Sequence, residues 1–205
     1  DVTPNAYEEV WDTTSGADVR IDGRSGNNLL TYDSPSFNGV MFKAAYQHDH
    51  STADDQNTDL SHYADFGIMV SPEMVEGLTI GYGFGELEPN TSQTIDNETL
   101  FVKYAIGGFT VGIQMSENDM ETGSDYESTG IGVSYQVNDD LAISYGNHEI
   151  EEVSSGNPDQ EAAAVSFSYT MGSLGIVGTV HDVDNIDNST TNSREAYSLG
   201  LSFNF

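Results

Sequence analysis

The sequence predicts an all-β fold, a transmembrane antiparallel up-and-down β-barrel. Two observations support this prediction: alternating segments that recur along the chain, and the regular order of the connections between them. In the last segment the large residues are Tyr197, Leu199, Leu201, Phe203 and Phe205, and the residues between them are small or polar. Alternation with a period of two places these two sets on opposite faces of a strand. One apolar face and one small, polar face are typical of a wall between lipid and water.

About eleven such segments are predicted as strands. They comprise residues 29–33, 40–48, 63–70, 78–85, 99–106, 109–116, 131–137, 141–146, 165–171, 174–182 and 197–205. The short connections are residues 34–39, 71–77, 107–108, 138–140 and 172–173, and the longer, acidic ones are residues 49–59, 86–97, 117–125, 149–160 and 183–193. Short and long connections alternate strictly, as in a barrel with tight turns at one end and long loops at the other.

The composition excludes several other classes of protein. Only 5 residues are Lys or Arg against 34 Asp or Glu, which gives a formal charge of −29. Such a chain lacks the basic footprint that nucleic-acid binding requires. It has no cysteine and therefore no disulfide framework. No apolar run approaches the roughly 18 residues of a membrane helix. The mean hydropathy of −0.40 is compatible with a barrel, because half of each strand faces water.

The two faces of the predicted strands differ in a way that favours a membrane wall. The polar face consists mainly of Gly, Ser, Thr, Ala and Gln, whereas the apolar face is rich in Tyr and Phe. The polar face of a soluble sheet would instead carry many Lys, Glu and Arg side chains. An apolar band with aromatic margins and a lumen lined by small groups explains both faces.

Residues 24–46 carry a resemblance to a known family. The segment reads RSGNNLLTYDSPSFNGVMFKAAY, and its matching residues are Arg24, Asn28, Tyr32, Ser34, Pro35, Phe37 and Gly39. Together with the terminal Phe205, these residues resemble the strand–turn–strand of Gram-negative general-diffusion porins. The resemblance implies a sixteen-stranded barrel in the outer membrane of a Gram-negative bacterium, in contact with its lipid and assembled as a homotrimer.

The same resemblance implies a division of the chain. Residues 1–26 would be the end of an inward-folded constriction loop, and residues 27–205 would supply eleven of the sixteen wall strands. A different count takes Ala17–Asp22 as a twelfth strand and closes a smaller, complete barrel.

The expected function is a water-filled channel for passive diffusion of small hydrophilic solutes and ions, with a modest cation preference. Acids on a constriction loop that face bases on the wall create a transverse field in the pore. The candidate residues for this field are Glu8, Glu9, Asp12, Arg20, Arg24, Lys43 and Lys103. The strand pattern places Lys43 and Lys103 on the lumenal face, because a lysine facing lipid near the midplane costs about 2–4 kcal/mol.

Other functions remain open at this point. A soluble or surface-attached acidic β-sandwich, such as an adhesion or calcium-binding module, is the main alternative. Its calcium candidates are Asp182, Asp184 and Asp187, since carboxylate oxygens suit Ca²⁺, although their spacing matches no known motif. The histidines His48, His50 and His62 are a weaker zinc candidate. We expect no resident cofactor, and no catalytic motif indicates an enzyme.

Overall fold

The computed structural model describes residues 2–10, 29–47, 62–90 and 93–203. These residues form eleven strands and one 3₁₀ turn. The strands are β1 (Leu29–Asp33), β2 (Val40–Gln47), β3 (His62–Val70), β4 (Leu78–Asn90), β5 (Gln93–Ile106), β6 (Phe109–Met120), β7 (Tyr126–Asn138), β8 (Leu141–Glu152), β9 (Gln160–Met171), β10 (Leu174–Asp184) and β11 (Arg194–Phe203). The 3₁₀ turn, Ile186–Asn188, lies between β10 and β11.

All eleven strands belong to one antiparallel sheet in which each strand pairs with its neighbours in sequence. This confirms the predicted up-and-down architecture and strand number. In the described part of the chain, β1 pairs only with β2 and β11 only with β10, so the sheet is open. A β-sandwich needs two packed sheets, and the described strands form one, so the sandwich alternative is wrong. The twelfth strand considered at Ala17–Asp22 lies outside the described residues.

The outward face of the sheet carries large apolar side chains that are exposed to the surroundings. One cross-strand row contains Val111, Tyr145, Val165, Val180 and Tyr197. The last of these is 85% exposed. Apolar surface this extensive marks a contact with lipid or with another protein. Within the described ranges, the chain contains no helix whose length and apolarity would let it span a bilayer.

Several strands are longer than the sequence pattern predicts. Residues 86–97 were expected to be a long loop, but β4 continues to Asn90 and β5 begins at Gln93. In the same way β6 continues into segment 117–125, and β8 and β9 extend into segment 149–160. Acidic residues are uncommon in strands. The backbone ladder nevertheless continues through them, because their side chains can point into water beyond an apolar band.

The acidic side chains in these extensions lie on the outward face. Strand alternation and cross-strand pairing place Glu98, Glu117, Glu127 and Glu151 in a single row across four adjacent strands. We call the outward acids beyond the apolar rows the acidic band. Its members are Glu86, Glu88, Asp96, Glu98, Glu117, Asp119, Glu127, Glu149, Glu151, Glu161, Asp182, Asp184 and Glu195.

Candidate functional site

Residues 2–10 cross the small-residue face of the sheet as an extended segment, which we call the strap. The backbone N–H of Val2 donates to Oε1 of Gln114 on β6 at 2.9 Å. The N–H of Ala6 donates to Oγ of Ser144 on β8 at 2.8 Å. At its far end, the carbonyl of Val10 accepts a hydrogen bond from the ring of a histidine on β10. The strap therefore spans the sheet from β6 to β10.

A row of glycines forms the groove in which the strap lies. Gly112, Gly132 and Gly146 pair directly with one another across β6, β7 and β8. A Cβ atom on Gly132 would lie 2.7 Å from the carbonyl oxygen of Pro4, and one on Gly146 would lie 2.5 Å from Cγ2 of Val10. Both distances are shorter than any ordinary contact of a Cβ atom. The small residues of this row are therefore needed to admit the strap and not only to keep the lumen wide.

The far end of the strap is anchored in a small buried cluster. The ring of His181 is fully buried, and its Nε2 atom lies 3.0 Å from Oγ1 of Thr179. Beside it, Val10 packs with Ala162, Ala164, Val183 and Ile186. A buried carbonyl that lost its donor would cost about 1–3 kcal/mol, so the histidine that bonds to Val10 fixes the position of Val10 against the wall.

The connection between β10 and β11 packs against the end of the hairpin that β8 and β9 form. Its 3₁₀ turn places Ile186 in the buried cluster, where it is only 1% exposed. The side-chain amide of Asn188 donates to the carbonyls of Ile150 and Pro158, at 2.9 and 3.1 Å. This connection was expected to be a solvated acidic loop, and the structure instead packs it over the end of the strap.

The structure places four of the seven predicted constriction residues. Glu8 and Glu9 lie on the strap and are partly exposed. On the wall, Lys103 pairs with Gly112 at one end of the glycine row. Lys43 lies on the lumenal face of β2, with its Nζ atom 2.9 Å from Oδ1 of Asp33. The predicted residues Asp12, Arg20 and Arg24 lie outside the described residues.

The lumenal face of the described strands is electrically balanced. Strand alternation places Lys43, Lys103 and Arg194 on it, together with the acids Asp33, Asp65 and Glu152. Sequence reasoning did not single out these acids. Nor did it place Tyr63 on this face, where the tyrosine is buried and donates to Asp65 at 2.6 Å. The two strap glutamates are therefore an uncompensated negative charge among these described groups.

The three calcium candidates are not brought together. Asp182 and Asp184 lie on the outward face of β10. Asp187 lies in the 3₁₀ turn, where its backbone N–H donates to Oε1 of Gln160 at 3.0 Å. Among the described residues, these three carboxylates do not form a shared metal-ligating group.

Comparison with protein families gives one match. A family model described as Gram-negative porin matches residues 1–205, the whole of this chain. A comparison with curated proteins found no match.

Solved structures that are similar to this chain include porins and an outer-membrane protein. The chain is similar to an anion-selective porin from Comamonas acidovorans, with 13% identity and a TM-score of 0.72 over 87% of this chain and 60% of that one. It is similar to Salmonella typhi OmpF, with 13% identity and a TM-score of 0.68 over 86% and 61% of the two chains. A trimer form of the Vibrio cholerae outer-membrane protein OmpT gives 14% identity and a TM-score of 0.64 over 85% and 64%. The chain thus spans about three-fifths of the length of these structures.

Proposed function

The chain belongs to the Gram-negative porin family, and we propose that it supplies eleven strands to a water-filled channel for passive diffusion of small hydrophilic solutes and ions. Its family locates it in the outer membrane, where the exposed apolar rows contact lipid. The observation that carries the proposal is the strap held in a glycine groove on the lumenal face. A segment held against the inside of the wall, from β6 to β10, would narrow the path of solutes.

Further strands would complete the barrel. Among the described strands, β1 has a neighbour on one side only, and so has β11. Bacterial barrels close with an even number of strands. We propose a closed wall of sixteen strands, which is consistent with a chain that spans about three-fifths of the Comamonas porin.

The assembled form is proposed to be a homotrimer. Support comes from the solved trimer form of the Vibrio cholerae protein, which shares the fold. We also propose a channel and not an enzyme, since the family is one of porins.

The pore is proposed to favour cations modestly. Glu8 and Glu9 add negative charge to a lumenal face whose other described charges balance. The Comamonas porin with the same fold is anion-selective, so the fold alone does not determine selectivity, and the preference depends on these side chains.

Conductance measurement tests the channel itself. We expect the natively purified full-length protein, reconstituted in planar bilayers, to give open, ohmic conductance steps. A change in the electrophoretic mobility of the protein after heating in detergent would verify that the unheated barrel is folded. A correctly folded barrel that gave no conductance would contradict the proposal.

A further inference from the structure

The ring of His62 lies between two carboxylates on the outward face of β3 and β4. Its Nε2 atom is 3.1 Å from Oε1 of Glu86, and its Nδ1 atom is 3.1 Å from Oε2 of Glu88. His62 pairs directly with Glu88 across the two strands, and Glu86 lies two residues away on the same face. The backbone ladder therefore holds one imidazole and two carboxylates together at the loop end of these strands.

These side chains are close to the geometry of a metal site. One ligand atom from each of the three lies within 4.8 Å of the other two. In a tetrahedral zinc site with bonds of about 2.0–2.2 Å, neighbouring ligand atoms are about 3.3–3.6 Å apart. Glu86 and Glu88 contact different nitrogens of the ring, so one of the two glutamates must rotate to share an ion with the other at a single nitrogen. The long, flexible glutamate side chain permits that rotation.

The donor set also indicates which class of ion would bind. An imidazole nitrogen suits transition metals such as Zn²⁺, whereas Ca²⁺ takes oxygen ligands in larger number. Three protein ligands leave a fourth position for water or an external group, as in zinc sites with an open position.

The surroundings of the cluster attract a cation. Asp96 on β5 pairs with Glu86, and Asp119 on β6 pairs with Asp96, so like charges face one another directly. Such pairs are destabilising. The outward face of the described strands carries no Lys or Arg that would compensate them, because Lys43, Lys103 and Arg194 are all on the lumenal face. A bound dication would offset this repulsion.

We propose that His62, Glu86 and Glu88 form a binding site for a divalent transition-metal ion of the zinc type. The site lies on the outward face, beyond the apolar rows and on the side of the sheet opposite the strap. This placement separates it from the solute path, so the site can bind metal whether or not the channel conducts.

Titration of the folded protein in detergent micelles with Zn²⁺ alone tests the site. Calorimetry is expected to find one strong site per chain, and Co²⁺ in its place should give visible absorption bands of a nitrogen-ligated ion. Two variants, the single variant His62→Gln and the double variant Glu86→Gln with Glu88→Gln, should each weaken Zn²⁺ binding by about tenfold or more. Loss of a residue that only hydrogen-bonds to a metal ligand already lowers metal affinity by about 10–100-fold.

The matched control is the double variant Glu117→Gln with Glu127→Gln. It removes two directly paired acids from the same face, and so the same charge as the double variant of Glu86 and Glu88, but this pair has no imidazole beside it. The control should leave Zn²⁺ binding unchanged. The proposal would be overturned if the control lost as much Zn²⁺ affinity as the site variants, or if His62→Gln kept both its Zn²⁺ affinity and its Co²⁺ bands. Either result would leave only a diffuse attraction of cations. His62→Asn provides a second variant, and heat-modifiable migration verifies that each variant is folded.

Discussion

At the scale of single residues, the glycines of the lumenal groove are required by the strap that lies across them. Gly132 has no left-handed backbone that would require glycine, since it is absent from the residues with positive φ. The strap leaves no room for a side chain at this position, because a Cβ there would lie 2.7 Å from the oxygen and 3.0 Å from the nitrogen of Pro4. The absence of a side chain at this position is therefore a requirement of the strap.

The variant Gly132→Ala should displace the strap from its groove. Overpacking of this kind costs about 1–3 kcal/mol, and the strap is easier to move than the paired strands beneath it. We expect a larger single-channel conductance. We also expect the barrel to unfold at a lower temperature, as seen by the change in its electrophoretic mobility on heating in detergent. The control is Gly67→Ala, also on the lumenal face, where the nearest atom to a new Cβ would be 3.6 Å away. Equal conductance in Gly132→Ala and the wild type would show that the strap does not narrow the pore.

At the scale of elements, the strands could be predicted from the sequence and their ends could not. Alternation is a local signal, so it located all eleven strands through residues such as Tyr197 and Leu199. The ends of β4 and β5 were missed because Glu86 and Asp96 look like loop residues, although they pair across the hairpin. Whether an acid ends a strand depends on which side of the apolar band it occupies, and that is a property of the assembled sheet.

The strap is a second element that the sequence could not place. Residues 2–10 have no periodic pattern, and their groove is made by glycines that come together only through the register of β6, β7 and β8. The resemblance implied an inward-folded loop, but it did not indicate that Gly112 and Gly146 would lie under it or that His181 would bond to Val10. These contacts join residues more than a hundred positions apart.

A disulfide should lock the strap to the wall. The wild-type chain has no cysteine, so Ala6→Cys with Ser144→Cys introduces a single pair at positions where a backbone nitrogen and a side-chain oxygen are 2.8 Å apart. We expect a cross-link under oxidising conditions, seen as a shift in migration that reductant reverses, with conductance close to that of the wild type. Ala6→Cys with Thr79→Cys, a lumenal position on β4 beyond the strands that the strap contacts, serves as the control and should not cross-link. A pair at 6 and 144 that failed to oxidise in the folded protein would contradict the position of the strap.

At the scale of the whole molecule, the large negative charge is divided unequally between the two faces. The acidic band holds thirteen carboxylates on the outward face of the described strands, whereas the lumenal face carries three acids and three bases. A net charge of −29 therefore says little about the field inside the pore. That field depends on a few side chains, namely the strap glutamates and the lysine at the end of the glycine row.

Selectivity should accordingly respond to lumenal charges and not to outward ones. Glu8→Gln with Glu9→Gln should lower the cation preference, and Lys103→Gln should raise it, because the first change removes negative charge from the strap and the second removes positive charge from the wall. Reversal potentials across a salt gradient measure both. The effects should be largest in dilute salt, since screening acts over about 10 Å at 0.1 M ionic strength. The outward pair Glu117→Gln with Glu127→Gln changes the total charge by the same amount as the strap variant, but the sheet separates it from the lumen, so its reversal potential should equal that of the wild type. If the outward pair shifted selectivity as much as the strap pair, the net charge of the protein and not the strap would set the preference.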